Sequence, residues 1–290
     1  AAQFKTIINI PDDQPSIAGE IGSNTQLNVF EGGIVESFFE AGAADGSSSN
    51  VEVNIYGGEV GLRFDANHCD VNVFGGDIVG SFDASYGSRV QISGGNFGAG
   101  FDADHSTLKI SGGIFAGGWD VCFCQLTISG GQFGDSFYVL PVTRVDITGG
   151  SIGQDFRLFP QSEIHLYGQG FAIDGVEIPG LIPGQAHEIT ERGGALLEGT
   201  LIDGSLLSFQ LNSSFVPGED FFAADAIVTV TVLDQVLPGD VNRDGTVSLL
   251  DVIPLVDLLS AGGFQLEADV NCDGSVSLRD IAPLIQLLSG

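Results

Sequence analysis

Basic side chains are scarce in this chain. Nine lysines and arginines stand against 38 aspartates and glutamates, which gives a formal net charge of −29 over 290 residues. So acidic a surface repels the phosphate backbone of nucleic acids, and we expect no nucleic-acid partner. The same surplus of carboxylates attracts divalent cations and favours solubility.

Long apolar runs are also missing. No segment approaches the roughly 20 apolar residues that a membrane-spanning helix needs, so we expect no membrane insertion. The chain starts Ala1-Ala2-Gln3, which is typical of a mature end left after cleavage at small residues. We therefore expect a secreted protein, either extracellular or held at the cell surface.

The four cysteines do not form a disulfide framework. Cys69 and Cys124 share one phase of the repeat described below but lie three coils apart, roughly 14 Å at the inter-strand spacing, which is beyond the reach of a disulfide. Cys122 is only two residues from Cys124. We expect buried or half-buried thiols. The alternative is an intermolecular disulfide through Cys272 or Cys69.

A short repeat fills the first half of the chain. It is marked by glycine pairs spaced 18 or 19 residues apart, which begin at Gly57, Gly75, Gly94, Gly112, Gly130 and Gly149. Degenerate copies stand at Glu31-Gly32 and Gly168-Gln169-Gly170. A fixed short period of this kind predicts a solenoid.

The phase of the apolar residues indicates the type of solenoid. Apolar residues alternate before each glycine pair, as in Val71 and Val73, and this alternation predicts a strand with one buried face. Two more columns follow the pairs. They comprise Ile34, Val60, Ile78, Phe97, Phe115, Phe133, Ile152 and Phe171, and then Phe38, Phe64, Phe82, Phe101, Trp119, Phe137 and Phe156. Because like residues recur at like phases, the sequence predicts a mainly β protein, a parallel β-helix of about eight coils with interior ladders.

The period sets four expected domains. Residues 1–26 are predicted to be an N-terminal cap or extension strand, since the first coil of a solenoid has an exposed edge. Residues 27–173 are the solenoid, with a protruding loop at 43–49. Residues 174–236 are a small β-hairpin cap, in which residues 195–211 form a hairpin joined at an Asp-Gly turn. Residues 239–290 are a separate module.

One column of the solenoid carries carboxylates. Asp65, Asp83, Asp102 and Asp120 each directly follow a ladder aromatic. Stacked about 5 Å apart, they repel one another by roughly a kcal/mol per pair near a wet surface. One hypothesis is a row of further Ca²⁺ sites or an acidic catalytic patch. The favoured one is a turn-forming column bonded to backbone amides.

Parallel β-helices include polysaccharide lyases and glycoside hydrolases. Hydrolysis needs two carboxylates whose pKa values differ, and lyase chemistry needs a base near the abstracted proton. The arginines, lysine and histidines of the solenoid stand mostly at different phases and form no compact cluster with the aspartate column. We therefore expect no enzyme activity. A polysaccharide-active enzyme is the least favoured alternative.

The C-terminal 51 residues carry the most specific motif, a loop with oxygen ligands at positions 1, 3, 5, 9 and 12 and glycine at position 6. It occurs twice, 29 residues apart, and each copy precedes a short amphipathic helix. This spacing wraps six to eight oxygens around one Ca²⁺ ion. We therefore predict two Ca²⁺ ions held by Asp240, Asn242, Asp244, Thr246, Ser248 and Asp251, and by Asp269, Asn271, Asp273, Ser275, Ser277 and Asp280. Thr246 and Ser275, at position 7, would contribute backbone carbonyl oxygens.

This duplicated loop and helix over residues 239–290 resembles the type I dockerin family, which also has Asp at the twelfth position where EF-hands have Glu. The resemblance implies an extracellular protein whose C-terminal module docks to a partner, a cohesin in cellulosomes. The two residues before the last ligand carry much of the cohesin contact in that family and are often small or hydroxylated. Here they are Leu249-Leu250 and Leu278-Arg279, which is a departure. The Gly-Gly solenoid resembles the β-helix regions of secreted proteins that end in such modules.

Three functional hypotheses follow. The leading one is a secreted, Ca²⁺-binding structural or adhesive solenoid that self-assembles into a fibre or surface layer, a homo-polymer formed through its N-terminal segment and its dockerin-like tail. The alternative is a glycan- or surface-binding module anchored to a cohesin-like scaffold. The third is the enzyme discussed above.

Overall fold

A computed structural model describes residues 4–233, 239, 241–242, 247–261, 268, 270 and 276–289. The chain divides into two compact units, Ala1–Val232 and Leu233–Gly290. The first is a parallel β-solenoid of about eight coils, and the second contains two short helices. The predicted fold class is confirmed.

The solenoid has three faces. The first face is formed by β1 (Thr6–Ile10), β4 (Thr25–Val29), β7 (Val51–Ile55), β10 (Asp70–Val73), β13 (Arg89–Ile92), β16 (Thr107–Phe115), β18 (Gln125–Phe133), β20 (Arg144–Ile152), β22 (Glu163–Ile173) and β28 (Ile227–Val232). The second begins with β2 (Ser16–Ile17), β5 (Ile34–Val35), β8 (Glu59–Val60), β11 (Asp77–Ile78) and β14 (Asn96–Phe97), and the long strands β16, β18 and β20 continue it. The third comprises β3 (Glu20–Ile21), β6 (Phe39–Ala41), β9 (Phe64–Asn67), β12 (Phe82–Ser85), β15 (Phe101–Asp104), β17 (Trp119–Cys122), β19 (Phe137–Val139), β21 (Phe156–Leu158) and β27 (Phe221–Phe222).

Successive coils stack residue on residue. Val71 pairs with Val53 on one side and Val90 on the other, and all three are buried. The predicted alternation before the glycine pairs is therefore confirmed as the inward side of the first face. Because the strands are parallel and in register, each inward position becomes a continuous apolar column along the core.

An aromatic column lines the inside of the third face. The rings of Phe64, Phe82, Phe101 and Trp119 stack in sequence, with centroids 5.2, 4.9 and 3.9 Å apart. Each ring is at most 1% exposed. Phe115, on the second face, meets Phe101 and Trp119 edge-on. Such pairs are worth about 0.5–1.5 kcal/mol beyond the area that they bury.

The glycine pairs form a tight corner between the first and second faces. The second member of each pair has a positive φ, as at Gly95 with 97°, a region that other residues rarely adopt. From Gly94 onward the first member has no room for a side chain, since a Cβ on Gly94 would lie 2.4 Å from the carbonyl oxygen of Phe74. Both positions therefore require glycine.

The second coil departs from the predicted columns by one residue. Val35 pairs with Val60 and Phe39 pairs with Phe64, and both are fully buried. Ile34 and Phe38, which the spacing had placed in those columns, are 43% and 67% exposed. The cause is one extra residue, Gly33, after the corner glycine. Counting from the glycine pair therefore assigns the buried positions of this coil one residue too early.

The N-terminal segment differs from the expected cap. Strands β1, β2 and β3 pair in parallel with β4, β5 and β6, so this segment forms the first coil of the solenoid. Its first corner uses Pro11 and Asp13 instead of a glycine pair, and the Asp13 carboxylate accepts the Asn9 backbone N–H at 2.7 Å. Because this corner lacks a glycine pair, the glycine spacing does not reveal the first coil.

The C-terminal end also differs from a separate cap. Strands β27 and β28 pair in parallel with β21 and β22, so the stack continues after an insertion. The insertion holds β23 (Val176–Glu177), β24 (Ala186–Glu188), β25 (Ala195–Leu201) and β26 (Leu206–Leu211). The last two form the predicted hairpin, and its Phe209 ring lies 4.7 Å from Phe156. The hairpin thereby covers the apolar end of the core.

We predict that Phe101→Ala lowers the free energy of unfolding of the solenoid by about 3–5 kcal/mol, because it leaves a cavity between two stacked rings. Differential scanning calorimetry measures the loss. Phe38→Ala is the matched control, since this ring is 67% exposed, and it should cost less than about 1 kcal/mol. Equal losses for both variants would contradict the described stacking.

Candidate functional site

The two halves of the C-terminal unit share one local design. A 3-10 turn, Leu249–Asp251, leads into α1 (Val252–Ala261), and a second turn, Leu278–Asp280, leads into α2 (Ile281–Ser289). Ser248 and Ser277 cap these turns, and each serine hydroxyl accepts a backbone N–H two residues later. Asp251 and Asp280, the last residues of these turns, accept the backbone N–H of the capping serine. This second bond completes a capping box in each half.

The aspartates at the twelfth loop position point inward. Asp251 is fully buried, and its two carboxylate oxygens accept the backbone N–H groups of Asn242 at 3.0 Å and Ser248 at 2.7 Å. Asp280 is equally buried and accepts the N–H of Ser277 at 2.8 Å. These bonds fix each carboxylate against its own loop.

The donor chemistry at these positions fits a hard divalent cation. A fully buried carboxylate is costly unless a cation or several donors compensate it, and the described partners of Asp251 are neutral backbone amides. Oxygen-only ligands are the set that Ca²⁺ prefers. Five of the twelve predicted ligands, Asn242, Ser248, Asp251, Ser277 and Asp280, lie in the described part of the chain.

The other seven predicted ligands lie outside the described residues: Asp240, Asp244, Thr246, Asp269, Asn271, Asp273 and Ser275. The full ligand set and the number of ions therefore stay predictions. What the structure shows is the burial of the two aspartates that close the loops and the equivalent caps around them.

The two helices bury one side and expose the other. Leu255 and Leu284 are 2% exposed and pack in the small core of this unit with Val241 and Ala268. By contrast, several large apolar side chains are exposed in both halves. They are Leu249, Leu250, Ile253 and Val256 in the first half, and Leu278, Ile285 and Leu287 in the second.

Comparison with known proteins bears on this segment alone. The family model described as the dockerin type I domain matches residues 238–289. The C-terminal module is dockerin-like. Dockerin type I domains bind Ca²⁺ and cohesin partners, and dockerin modules occur in extracellular, cell-surface proteins. No curated protein and no solved structure match the chain.

The dockerin-like module supports a cohesin as partner, the alternative stated from the sequence, and gives no support to a homo-polymer. Within the described part of the chain, no helix has both the length and the apolar character needed to cross a membrane.

The predicted aspartate column is present in the solenoid, and two glutamates extend it. Asp65, Asp83, Asp102 and Asp120 are Cα partners on adjacent strands of the third face. The column begins earlier than the motif indicated, since Glu20 pairs with Glu40 and Glu40 with Asp65. It ends where Asp120 meets Tyr138 and Tyr138 meets Arg157.

The column lies within strands and not in turns, so it differs from the favoured hypothesis. The nearest basic group is Arg63, whose Nε lies 3.2 Å from Asp65 Oδ1 and 3.9 Å from Asp83 Oδ2. Among the residues that the structure describes, no three His, Cys, Asp or Glu side chains are grouped so that they could hold a metal ion.

Protons relieve part of the repulsion in this column. Burial, a hydrogen bond with Asp65 and the charges of Asp102 and Asp65 raise the pKa of Asp83 to about 7, although the Arg63 guanidinium opposes the shift. Burial also raises the pKa of Asp102, with a further contribution from Asp120, and burial raises the pKa of Asp120 itself. Asp83 therefore binds a proton near neutral pH.

The described cysteines are free thiols, in line with the sequence prediction. Burial raises the pKa of the Cys69 thiol to about 12 and that of Cys124 to about 11. Both side chains are 4% exposed, so Cys69 is poorly placed for an intermolecular bridge. Cys272 lies outside the described residues.

We predict that the solenoid loses stability as the pH rises. Folded Asp83 keeps its proton up to about pH 7, whereas its ordinary pKa is 3.8, so the folded state holds more protons between these values. The resulting stability is complete below pH 3.8 and is lost as the pH passes through about 7. Asp83→Asn should raise the Tm at pH 8 by about 2–4 °C and change it little at pH 4.

Calorimetry at both pH values measures this effect. Asp225→Asn serves as the control, because Asp225 is an exposed carboxylate outside the column, and it should leave both Tm values unchanged. An equal Tm change for Asp83→Asn at pH 4 and pH 8 would show that the carboxyl does not titrate in this range.

Proposed function

We propose that this protein is a non-enzymatic β-solenoid, exported from the cell and attached by its C-terminal module to a cohesin-bearing partner in the presence of Ca²⁺. The observation that carries the proposal is the dockerin type I match over residues 238–289, together with two fully buried aspartates at its loop ends. Two Ca²⁺ ions would order the loops that place α1 and α2 for docking.

The exposed apolar side chains of the module supply a docking surface. Leu249 and Leu278 occupy equivalent positions, and each is 76% exposed. On the following helices, Ile253 and Ile285 are 70% and 58% exposed. Exposed apolar side chains grouped in this way are typical of protein-binding surfaces. These leucines stand where the dockerin resemblance places much of the cohesin contact.

The basic groups of the solenoid support a non-catalytic role. Arg89 pairs with Asp70, Arg144 with Asp146 and Arg157 with Asp155. His165 is bonded to Thr229 and Glu163, so its ring is held by neighbours on the first face. These four groups are engaged in bonds within the walls, and Arg63, the basic group beside the aspartate column, is paired with Asp65 and Asp83.

Self-assembly remains the second candidate, because one observation favours it. Strand β1 is paired with β4 on one side, and no described strand covers its other edge. An uncovered edge can accept a strand from another molecule. A structural or adhesive role in a fibre or surface layer would use this edge.

We predict that an immobilised type I cohesin domain captures the full chain in 2 mM Ca²⁺ and releases it in excess chelator. Asp251→Asn combined with Asp280→Asn should weaken capture at least tenfold, because each loop loses its closing carboxylate. Asp257→Asn, an exposed carboxylate on α1, is the control and should be captured normally. Capture that ignores both Ca²⁺ and the double variant would contradict the proposal.

The docking surface has a separate test. Leu249→Asp combined with Leu278→Asp should reduce cohesin capture at least tenfold, since buried apolar anchors dominate such interfaces. Ca²⁺ binding, followed by titration calorimetry, should persist because neither side chain belongs to the predicted ligand set. Leu206→Asp, on the solenoid and 81% exposed, is the matched control. Unchanged capture by the double variant would place the interface elsewhere.

A further inference from the structure

A second aromatic ladder runs along the outside of the solenoid. Phe30, Tyr56 and Phe74 occupy the same place on three successive coils, directly after the strands of the first face. Their rings are nearly parallel, with centroids 5.2 and 4.9 Å apart and interplanar angles of 7° and 6°. Unlike the interior rings, these three are 38–51% exposed. The outer ladder therefore leaves apolar ring surface open to solvent.

The ladder stops abruptly at Phe74. The next three coils carry Ser93, Ser111 and Ser129 at the corresponding place. One face of the Phe74 ring is covered by Tyr56, while the other faces the coil of Ser93, whose small side chain leaves room for a further ring. A groove therefore begins at Phe74 and runs over the three serines.

The serine hydroxyls of the groove are oriented by the backbone. Each lies within hydrogen-bond distance of a carbonyl oxygen of the preceding coil: Ser93 of Val73 at 3.5 Å, Ser111 of Ile92 at 3.4 Å and Ser129 of Ile110 at 3.3 Å. Because the hydroxyl proton is engaged in this way, the oxygen lone pairs are left for a donor in the groove.

Amide and amine groups form the other wall of the groove. Asn72, Gln91, Lys109 and Thr127 follow one another on adjacent strands of the first face. Gln91 donates to Asn72 at 3.2 Å, and Asn72 donates to Asn54 at 2.8 Å, so the amides are fixed as a ladder. Lys109 is exposed and makes no ion pair within 4.0 Å among the described residues.

We propose that this groove is a saccharide-binding subsite, in which a pyranose ring of a neutral polysaccharide stacks on the uncovered face of Phe74. The sugar ring would occupy the place that an aromatic residue at position 93 would fill, and would continue the ladder by one step. Gln91, Lys109 and Ser93 would bond its hydroxyls. Apolar stacking combined with a few fixed polar groups is typical of small-ligand sites.

The charge of the protein selects a neutral glycan over an acidic one. With a net charge of −29, the surface repels an approaching polyuronate, and the single ammonium group of Lys109 does not reverse that field. Amide, hydroxyl and ammonium groups are suited to the uncharged hydroxyls of a neutral sugar. The proposed subsite lies wholly within the first unit. Saccharide binding by the solenoid therefore does not depend on the cohesin proposal.

Affinity gel electrophoresis of the full chain in Ca²⁺ tests the proposal. Hydroxyethylcellulose, xylan and galactomannan are the neutral probes, and polygalacturonate is the acidic one. We expect at least one neutral probe to retard the protein more strongly than polygalacturonate. Stronger retardation by polygalacturonate, or retardation by no neutral probe, would overturn the proposal.

Two variants locate the site on the retarding probe. Phe74→Ala removes the platform, and Ser93→Phe fills the subsite with a ring of the protein's own. Each should lower the association constant at least tenfold, and Ser93→Phe should not lower the Tm because it extends an existing stack. Phe30→Ala, at the opposite end of the same ladder, is the control and should bind within twofold of the unaltered chain. Equal retardation of Phe74→Ala, Ser93→Phe and the unaltered chain would overturn the assignment. Cohesin capture, measured on the same samples, keeps this outcome separate from failure of the docking module.

Discussion

In-register stacking of parallel coils is the constraint on which the rest of the solenoid depends. In most coils a residue meets the residue 18 or 19 positions later, as Val71 meets Val53 and Val90, so one favourable interaction is repeated along the column. Inside, this produces the ring stack from Phe64 to Trp119 and the apolar walls around it. At the corner, it requires a glycine pair in most coils, because each turn passes within contact of the carbonyl groups of the turn before. Outside, it turns single polar residues into ladders, of which the amides from Asn9 to Gln91 are one.

In-register stacking also repeats unfavourable interactions between like side chains. The carboxylates of the third face stand one above another, and the column is tolerated because Arg63 pairs with its first aspartate and because Asp83 holds a proton near neutral pH. Amides solve this problem without titration, since each donates to the next carbonyl oxygen along the column. The two columns therefore differ in physical character although the backbone beneath them is alike. We expect the acidic one to make the fold sensitive to pH, whereas the amide one supplies fixed donors and acceptors beside an exposed aromatic ladder.

Periodicity in the sequence was enough to predict the parallel β-helix, its inward columns and the hairpin at residues 195–211, because each of these repeats a pattern set by local sterics. The errors in the predicted columns and in the predicted start of the solenoid also have local causes. Gly33 adds one residue after a corner, so the inward residues are Val35 and Phe39 and not the predicted Ile34 and Phe38. The first coil turns at Pro11 and Asp13 and so lacked the marker, although Ile8 and Ile10 precede Leu27 and Val29 by the repeat distance of 19. The calcium ligands stay a prediction from the loop spacing, and spacing alone says nothing about the outer ladder of Phe30, Tyr56 and Phe74. Those rings recur on three coils only, and their exposure is known only once the path of the corner is known.

The central claim is that the dockerin-like module waits for a separate partner and does not link copies of this chain. Negative-stain electron microscopy of the purified chain, in millimolar Ca²⁺ and again in excess chelator, tests it most directly. The account predicts single particles of similar size under both conditions, since Ca²⁺ would order the module but would supply no receptor for it. Filaments or sheets that form in Ca²⁺ and vanish on chelation would contradict this account and would establish the module as a latch for self-assembly.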